Sequence, residues 1–155
     1  VTRQHPNYPE AYVELAEIHM RNRRIDPAIK TLLQGLVFLP NDHVIVNDLG
    51  MCYLVRRDYK MAEEKFTAAA AIAPDNTRYR SNIALVLGLQ GRYEESLSLY
   101  KQVTTESDAH FNLAVICDAR KDSARAAEER KQVEMYEAQA VEKAAVQAAA
   151  ETGEE

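Results

Sequence analysis

The sequence predicts an all-α protein built as a stack of four helical hairpins, and three observations carry that prediction. Chemically alike residues recur 34 positions apart: Leu15, Leu49 and Ile83; Ala28, Ala62 and Ser96; Pro6, Pro40 and Pro74. A further set, Leu113 and Ala126, follows after 30 positions. Five Gly and five Pro in 155 residues are few, which favours long helices over many short strands. A helical hairpin of this length cannot bury its apolar face alone, so neighbouring units stack into one continuous core.

Laid in register, the units are 9–42, 43–76, 77–106 and 107–138. Residues 1–8 precede them. The run His5-Pro6-Asn7-Tyr8 matches Leu39-Pro40-Asn41-Asp42, the end of the first unit. With Val1 in place of an initiating Met, it reads as the end of a truncated preceding repeat. Each unit divides into a helix A, a short polar turn and a helix B. The turns are Arg23-Arg24, Arg57-Asp58, Gly91-Arg92 and Lys121-Asp122. Pro40 and Pro74 end helix B of the first two units, because Pro lacks an N–H and disfavours helix in the residue before it. Asn41-Asp42 and Asp75-Asn76 then supply side-chain oxygens to cap the next helix A.

The third unit is four residues shorter after Val103, about one helical turn. Its helix B is expected to end near Thr105, with Ser107 or Asp108 capping the next helix A. In the fourth unit Arg130 stands where Leu32, Phe66 and Tyr100 stand before it. A charge there suits a terminal unit, whose outer face meets water. Nothing from Ser123 onward breaks a helix before Gly153, so the last helix B should run on to about Ala150 through an Ala-rich extension and acidic tail, 139–155. Its weak apolar stripe admits self-association. Light scattering on a chain ending near Ala138 would check it, since an unchanged mass would exclude the helix as the assembly element.

The position-by-position pattern resembles the tetratricopeptide repeat over residues 5–138. That family wants a large residue at the fourth position, Leu at the seventh, a small residue at the eighth and Ala at the twentieth. The first unit reads Tyr12, Leu15, Ala16 and Ala28, and the second reads Val46, Leu49, Gly50 and Ala62. The third reads Arg80, Ile83, Ala84 and Ser96, and the fourth reads His110, Leu113, Ala114 and Ala126. The resemblance implies a right-handed α-α superhelix whose groove, lined by helix A, holds a segment of another protein. The groove positions it implies are Val13 and Glu17; Asn47, Asp48, Met51, Leu54 and Val55; Arg78, Asn82, Leu85 and Leu89; and Phe111, Asn112 and Val115. The apolar members would form a contiguous floor for an amphipathic helix or an extended apolar peptide. Asn82 and Asn112 share a position that in relatives hydrogen-bonds a guest backbone. The clamp for chaperone C-termini needs a Lys and an Asn in one unit and two basic residues two units later. Here Val13, Glu17, Arg78 and Asn82 stand there, only Arg78 fits, and binding of chaperone C-termini is not expected. Residues 80–96 also resemble bacterial tight-adherence pilus-assembly repeat proteins, which implies help in assembling an envelope machine.

Charge and chemistry narrow the work further. Residues 1–133 carry 18 basic and 18 acidic side chains, and the whole excess of the −5 net charge follows them. The body therefore lacks the basic excess that nucleic-acid binding requires. No apolar run reaches a membrane-span length. No nucleophile, phosphate-loop or metal motif is present, so no catalytic residue, cofactor or metal ligand is assigned. Cys52 and Cys117 are expected as buried thiols, and His19 and His110 as packing residues, with His43 exposed. Glu63-Glu64, Glu94-Glu95 and Glu128-Glu129 are expected on a solvated convex face. The sequence thus points to a non-enzymatic interaction scaffold. The alternative is the substrate-recruiting module of a larger enzyme, such as a glycosyltransferase, with its catalytic domain outside this chain.

Overall fold

The structure, a computed structural model, describes residues 8–152; His5-Pro6-Asn7 lie outside them. Every element among the described residues is helical: α1 Pro9–Arg21, α2 Ile25–Phe38, α3 His43–Val55, α4 Tyr59–Ile72, α5 Thr77–Leu89, α6 Tyr93–Lys101, α7 Glu106–Ala119 and α8 Ser123–Thr152. They pair as hairpins α1–α2, α3–α4, α5–α6 and α7–α8, each packed on the next.

The sequence sets most of the boundaries. Helix α2 ends two residues before Pro40, and α4 ends two before Pro74. The Asp42 carboxylate accepts from the backbone N–H of Val44 and Ile45, and the Asn76 side chain accepts from Arg78 N–H. The third hairpin differs from the expectation in one detail. Helix α6 ends at Lys101, and Thr105 is the cap of α7: its Oγ1 accepts from Asp108 N–H at 3.1 Å. Thr105 takes the role because α7 already begins at Glu106, which places both expected caps, Ser107 and Asp108, inside the helix. Every A–B turn passes through the left-handed region, at Arg23 (φ 56°), Arg57 (φ 62°), Gly91 (φ 88°) and Lys121 (φ 64°). Only Gly91 adopts it without a Cβ penalty.

Packing follows the small–large code. An atom added as Cβ at Gly50 would stand 2.5 Å from Phe66 Cε1, so α3 and α4 approach closely only because position 50 has no side chain. In the next hairpin the fully buried Ser96 hydroxyl donates to Ala84 C=O at 2.7 Å, tying α6 to α5. The core runs between hairpins as well as within them. Tyr12, Ala16, Leu32, Ile45 and Leu49 form one cluster across the first boundary, and Phe66 packs with Val86 across the second.

Of the paired glutamates, Glu64, Glu94, Glu95 and Glu128 are exposed as expected, while Glu63 is half-buried and Glu129 buried. The pairs occupy different register positions, and two members, Glu63 and Glu94, link neighbouring hairpins. Arg92 reaches Glu63 at 2.8 Å and Glu95 at 2.6 Å, and Arg125 reaches Glu94 at 2.7 Å. Most such half-exposed pairs are worth under about 1 kcal/mol each. Glu129 is a different case: it is buried, at 2 % exposure. Helix α8 then continues for 30 residues in all, and every residue from 137 to 150 is exposed.

Candidate functional site

The A helices converge on one face. Helix α1 contacts α3, and α5 contacts α7. Between them Asn82 Nδ2 donates to Asn47 Oδ1 at 2.8 Å, bridging α5 to α3. The B helices make no comparable contact with one another among the described residues, so they lie on the diverging, outer side. The positions expected to line this inner face are the second, fifth, sixth, ninth, twelfth and thirteenth of each unit.

Side chains on this face fall into three groups. Val55, Phe111 and Val115 are more than half exposed, at 53 %, 56 % and 52 %. Phe111 and Val115 lie one turn apart on α7 and form a single apolar ridge. Val13, Met51, Leu54, Leu85 and Leu89 are only half-buried, and they pack against the core clusters beneath. Their role is thus double, and the open apolar floor is narrower than the sequence pattern predicts. The polar members are Glu17, Asp48, Arg78, Asn82 and Asn112, of which Glu17 and Arg78 are exposed.

Of the two asparagines of the expected ladder, Asn82 is engaged internally, while Asn112 on α7 makes no such bond to a neighbouring hairpin among the described residues. Asn47 is buried, accepts from Asn82 and donates to Asp48 Oδ1 at 3.0 Å. That network was not visible in the sequence, because it joins residues 35 apart through their side chains. Burial raises the Asp48 pKa, the Asn47 hydrogen bond opposes the rise, and the nearby Glu17 carboxylate adds to it. A raised pKa means that the folded chain holds the Asp48 proton more tightly than the unfolded chain does. Ionised Asp48 therefore costs stability above its folded pKa, and the cost disappears below the unfolded value of 3.8. The substitution Asp48→Asn keeps the acceptor for Asn47. It is expected to raise the melting temperature at neutral pH, with the gain shrinking toward pH 4; a melting series over that range checks it.

A notch opens at the first end of the face. Val13 and Val44 floor it, Glu10, Glu14 and Asp42 rim it, and it encloses about 230 Å³.

Elsewhere the polar residues serve packing. His43, expected as exposed, is half-buried, and its Nδ1 lies 2.7 Å from the Tyr79 hydroxyl. Its place at the start of α3 faces the first turn of α5 rather than water. Cys52 and Cys117 are fully buried, as expected, and burial raises the Cys52 thiol to about 11. Such a thiol is a poor nucleophile. Among the described residues no group of His, Cys, Asp and Glu has a metal-binding arrangement, and no helix is long and apolar enough to cross a membrane.

A family model described as tetratricopeptide repeat matches residues 47–108. Among curated proteins the chain is 22 % identical over 99 residues to tetratricopeptide repeat protein 21A of Mus musculus, covering 64 % of this chain and 8 % of that protein. The chain thus spans under a tenth of the length of this relative. Among solved structures it is similar to a crystal structure of MamA, with TM-score 0.66 and 15 % identity over 91 % of this chain and 85 % of that one. It is also similar to the first repeat domain of Spaghetti (RPAP3) bound to an HSP90 peptide, with TM-score 0.62 and 19 % identity over 73 % of this chain and 95 % of that one.

Proposed function

We propose that this chain, whose residues 47–108 match the tetratricopeptide repeat, is a non-enzymatic scaffold whose inner, helix A face takes up a segment of a partner protein. The observation that carries the reading is the ridge of Phe111 and Val115, two large apolar side chains left more than half exposed on α7. The similar RPAP3 domain, bound to an HSP90 peptide, supports the mode of use. The small share of the mouse relative that is matched leaves room for the same face to recruit substrates for a larger chain.

The test places a photo-crosslinking residue at Val115 and, as a control, at the outward-facing Glu128. Adducts that map to one partner segment at residue 115, and not at 128, are expected. Val55→Glu, itself exposed and tolerable to the fold, should remove them while helix content by circular dichroism stays unchanged. Equal crosslinking at both positions would discard the reading.

A further inference from the structure

The charge on the inner face is not the charge of the body. Residues 1–133 balance to zero, yet five carboxylates converge at the first end of that face: Glu10, Glu14, Glu17, Asp42 and Asp48. Among the described residues, two cations answer them there. Arg21 pairs with Glu17 at 3.4 Å, and Arg78 lies near Asp48. Among the described residues, Glu10, Glu14 and Asp42 then remain around the notch floored by Val13 and Val44. An apolar seat with an acidic rim is complementary to a guest that is apolar on one side and cationic on the other.

Two further observations narrow the occupant. The first concerns backbone. An extended guest needs hydrogen bonds from its host, but Asn47 and Asn82 are already bonded to each other. A helical guest satisfies its own backbone and asks nothing of that ladder. The second concerns the chain's own tail. The exposed half of α8 is helical and partly apolar, but residues 134–152 hold Glu134, Glu137, Glu142 and Glu151 against Lys143 alone. That helix repels the acidic rim, in this chain or in a second copy.

We infer that the α1–α3 end of the inner face seats a cationic amphipathic helix of a partner protein. Its aliphatic side enters the Val13–Val44 notch, and its Lys or Arg side chains meet Glu10, Glu14, Glu17 and Asp48. The inference rests on the scaffold reading above and adds the guest's charge and conformation to it. Burial and, after it, the nearby Glu17 carboxylate work against an ionised Asp48, and a guest cation offsets the second of these.

The experiment uses three synthetic amphipathic helical peptides with one shared Leu/Ala side and a polar side of Lys, Gln or Glu. Binding to the chain is measured by fluorescence anisotropy. The Lys peptide is expected to bind about tenfold more tightly than the Gln peptide, with the Glu peptide weakest, and the gap should narrow as salt rises. The triple substitution Glu10→Gln, Glu14→Gln and Glu17→Gln, all at exposed side chains, should level the Lys and Gln peptides. Equal affinity for Lys and Gln peptides overturns the inference, as does a Lys peptide that ignores the triple substitution, or binding of no peptide. None of these results touches the scaffold reading, which the crosslinks at residue 115 decide separately.

Discussion

Replacing Phe66 by alanine is expected to lower the unfolding free energy by about 3–5 kcal/mol. The ring is fully buried between the second and third hairpins, where it touches Gly50 of its own hairpin and packs with Val86 of the next. Truncation leaves a cavity that neither neighbour can fill. Gly50 has no side chain to swing inward, and Val86 is held within α5. In a solenoid each unit is supported only by its neighbours. Hydrogen exchange should therefore quicken most in α3, α4 and α5, with α7 responding less. The reciprocal change tests the interlock. Gly50→Ala gains about 1 kcal/mol of helix propensity but drives a methyl group into the ring, at about 1–3 kcal/mol. Combined with Phe66→Leu, the alanine should cost much less than it does alone. Urea unfolding of the four chains measures this, and strictly additive effects would show that the two positions do not interlock.

The hairpin order could be read from residues such as these because the repeat acts locally. Gly50, Ala62, Phe66 and Pro74 each meet a requirement set within one or two turns or across one hairpin, and a period of 34 repeats the requirement. The inner face was legible as a set of positions but not as a set of exposures. Leu85 and Leu89 carry the same label as Val115, yet they rest on the cluster around Leu97 and Leu113 and are half-buried. Periodicity marks the face of a helix and does not measure how deeply a neighbouring hairpin covers it. Charge was misleading for a related reason. A body that sums to zero conceals an acidic end on one face, because the compensating arginines lie on turns and outer surfaces, as Arg92 and Arg125 do. Glu129 is the clearest miss. In the sequence it is one of several acidic pairs on helix B, and its burial depends on His110, which lies 19 residues earlier on α7.

That buried pair carries the second large effect. Glu129 accepts from His110 at Nδ1, 2.5 Å away, and from Arg125 Nε at 2.6 Å, with the histidine and glutamate side chains 8 % and 3 % exposed. A carboxylate can only accept, so Nδ1 carries the hydrogen. The His110 ring also stacks on Tyr136, with centroids 5.6 Å apart, and so joins α7 to the middle of α8. Glu129→Leu leaves the His110 donor buried without its partner and is expected to cost about 3–5 kcal/mol. Changing both residues, as His110→Phe with Glu129→Leu, removes the orphaned group, keeps the stack on Tyr136 and should recover most of that loss. A double-mutant cycle by urea unfolding reads the coupling; an equally unstable double variant would mean that volume, not the hydrogen bond, decides the cost. The pair also bears on binding. His110 and Phe111 are adjacent on α7, and anchoring the first toward α8 turns the second outward onto the inner face. Glu129→Leu should therefore weaken guest capture at Phe111 and Val115 even at temperatures where the chain remains folded. The restored double variant should capture normally, because the rotation of α7 is set by filling the space beneath it, whichever chemistry fills it.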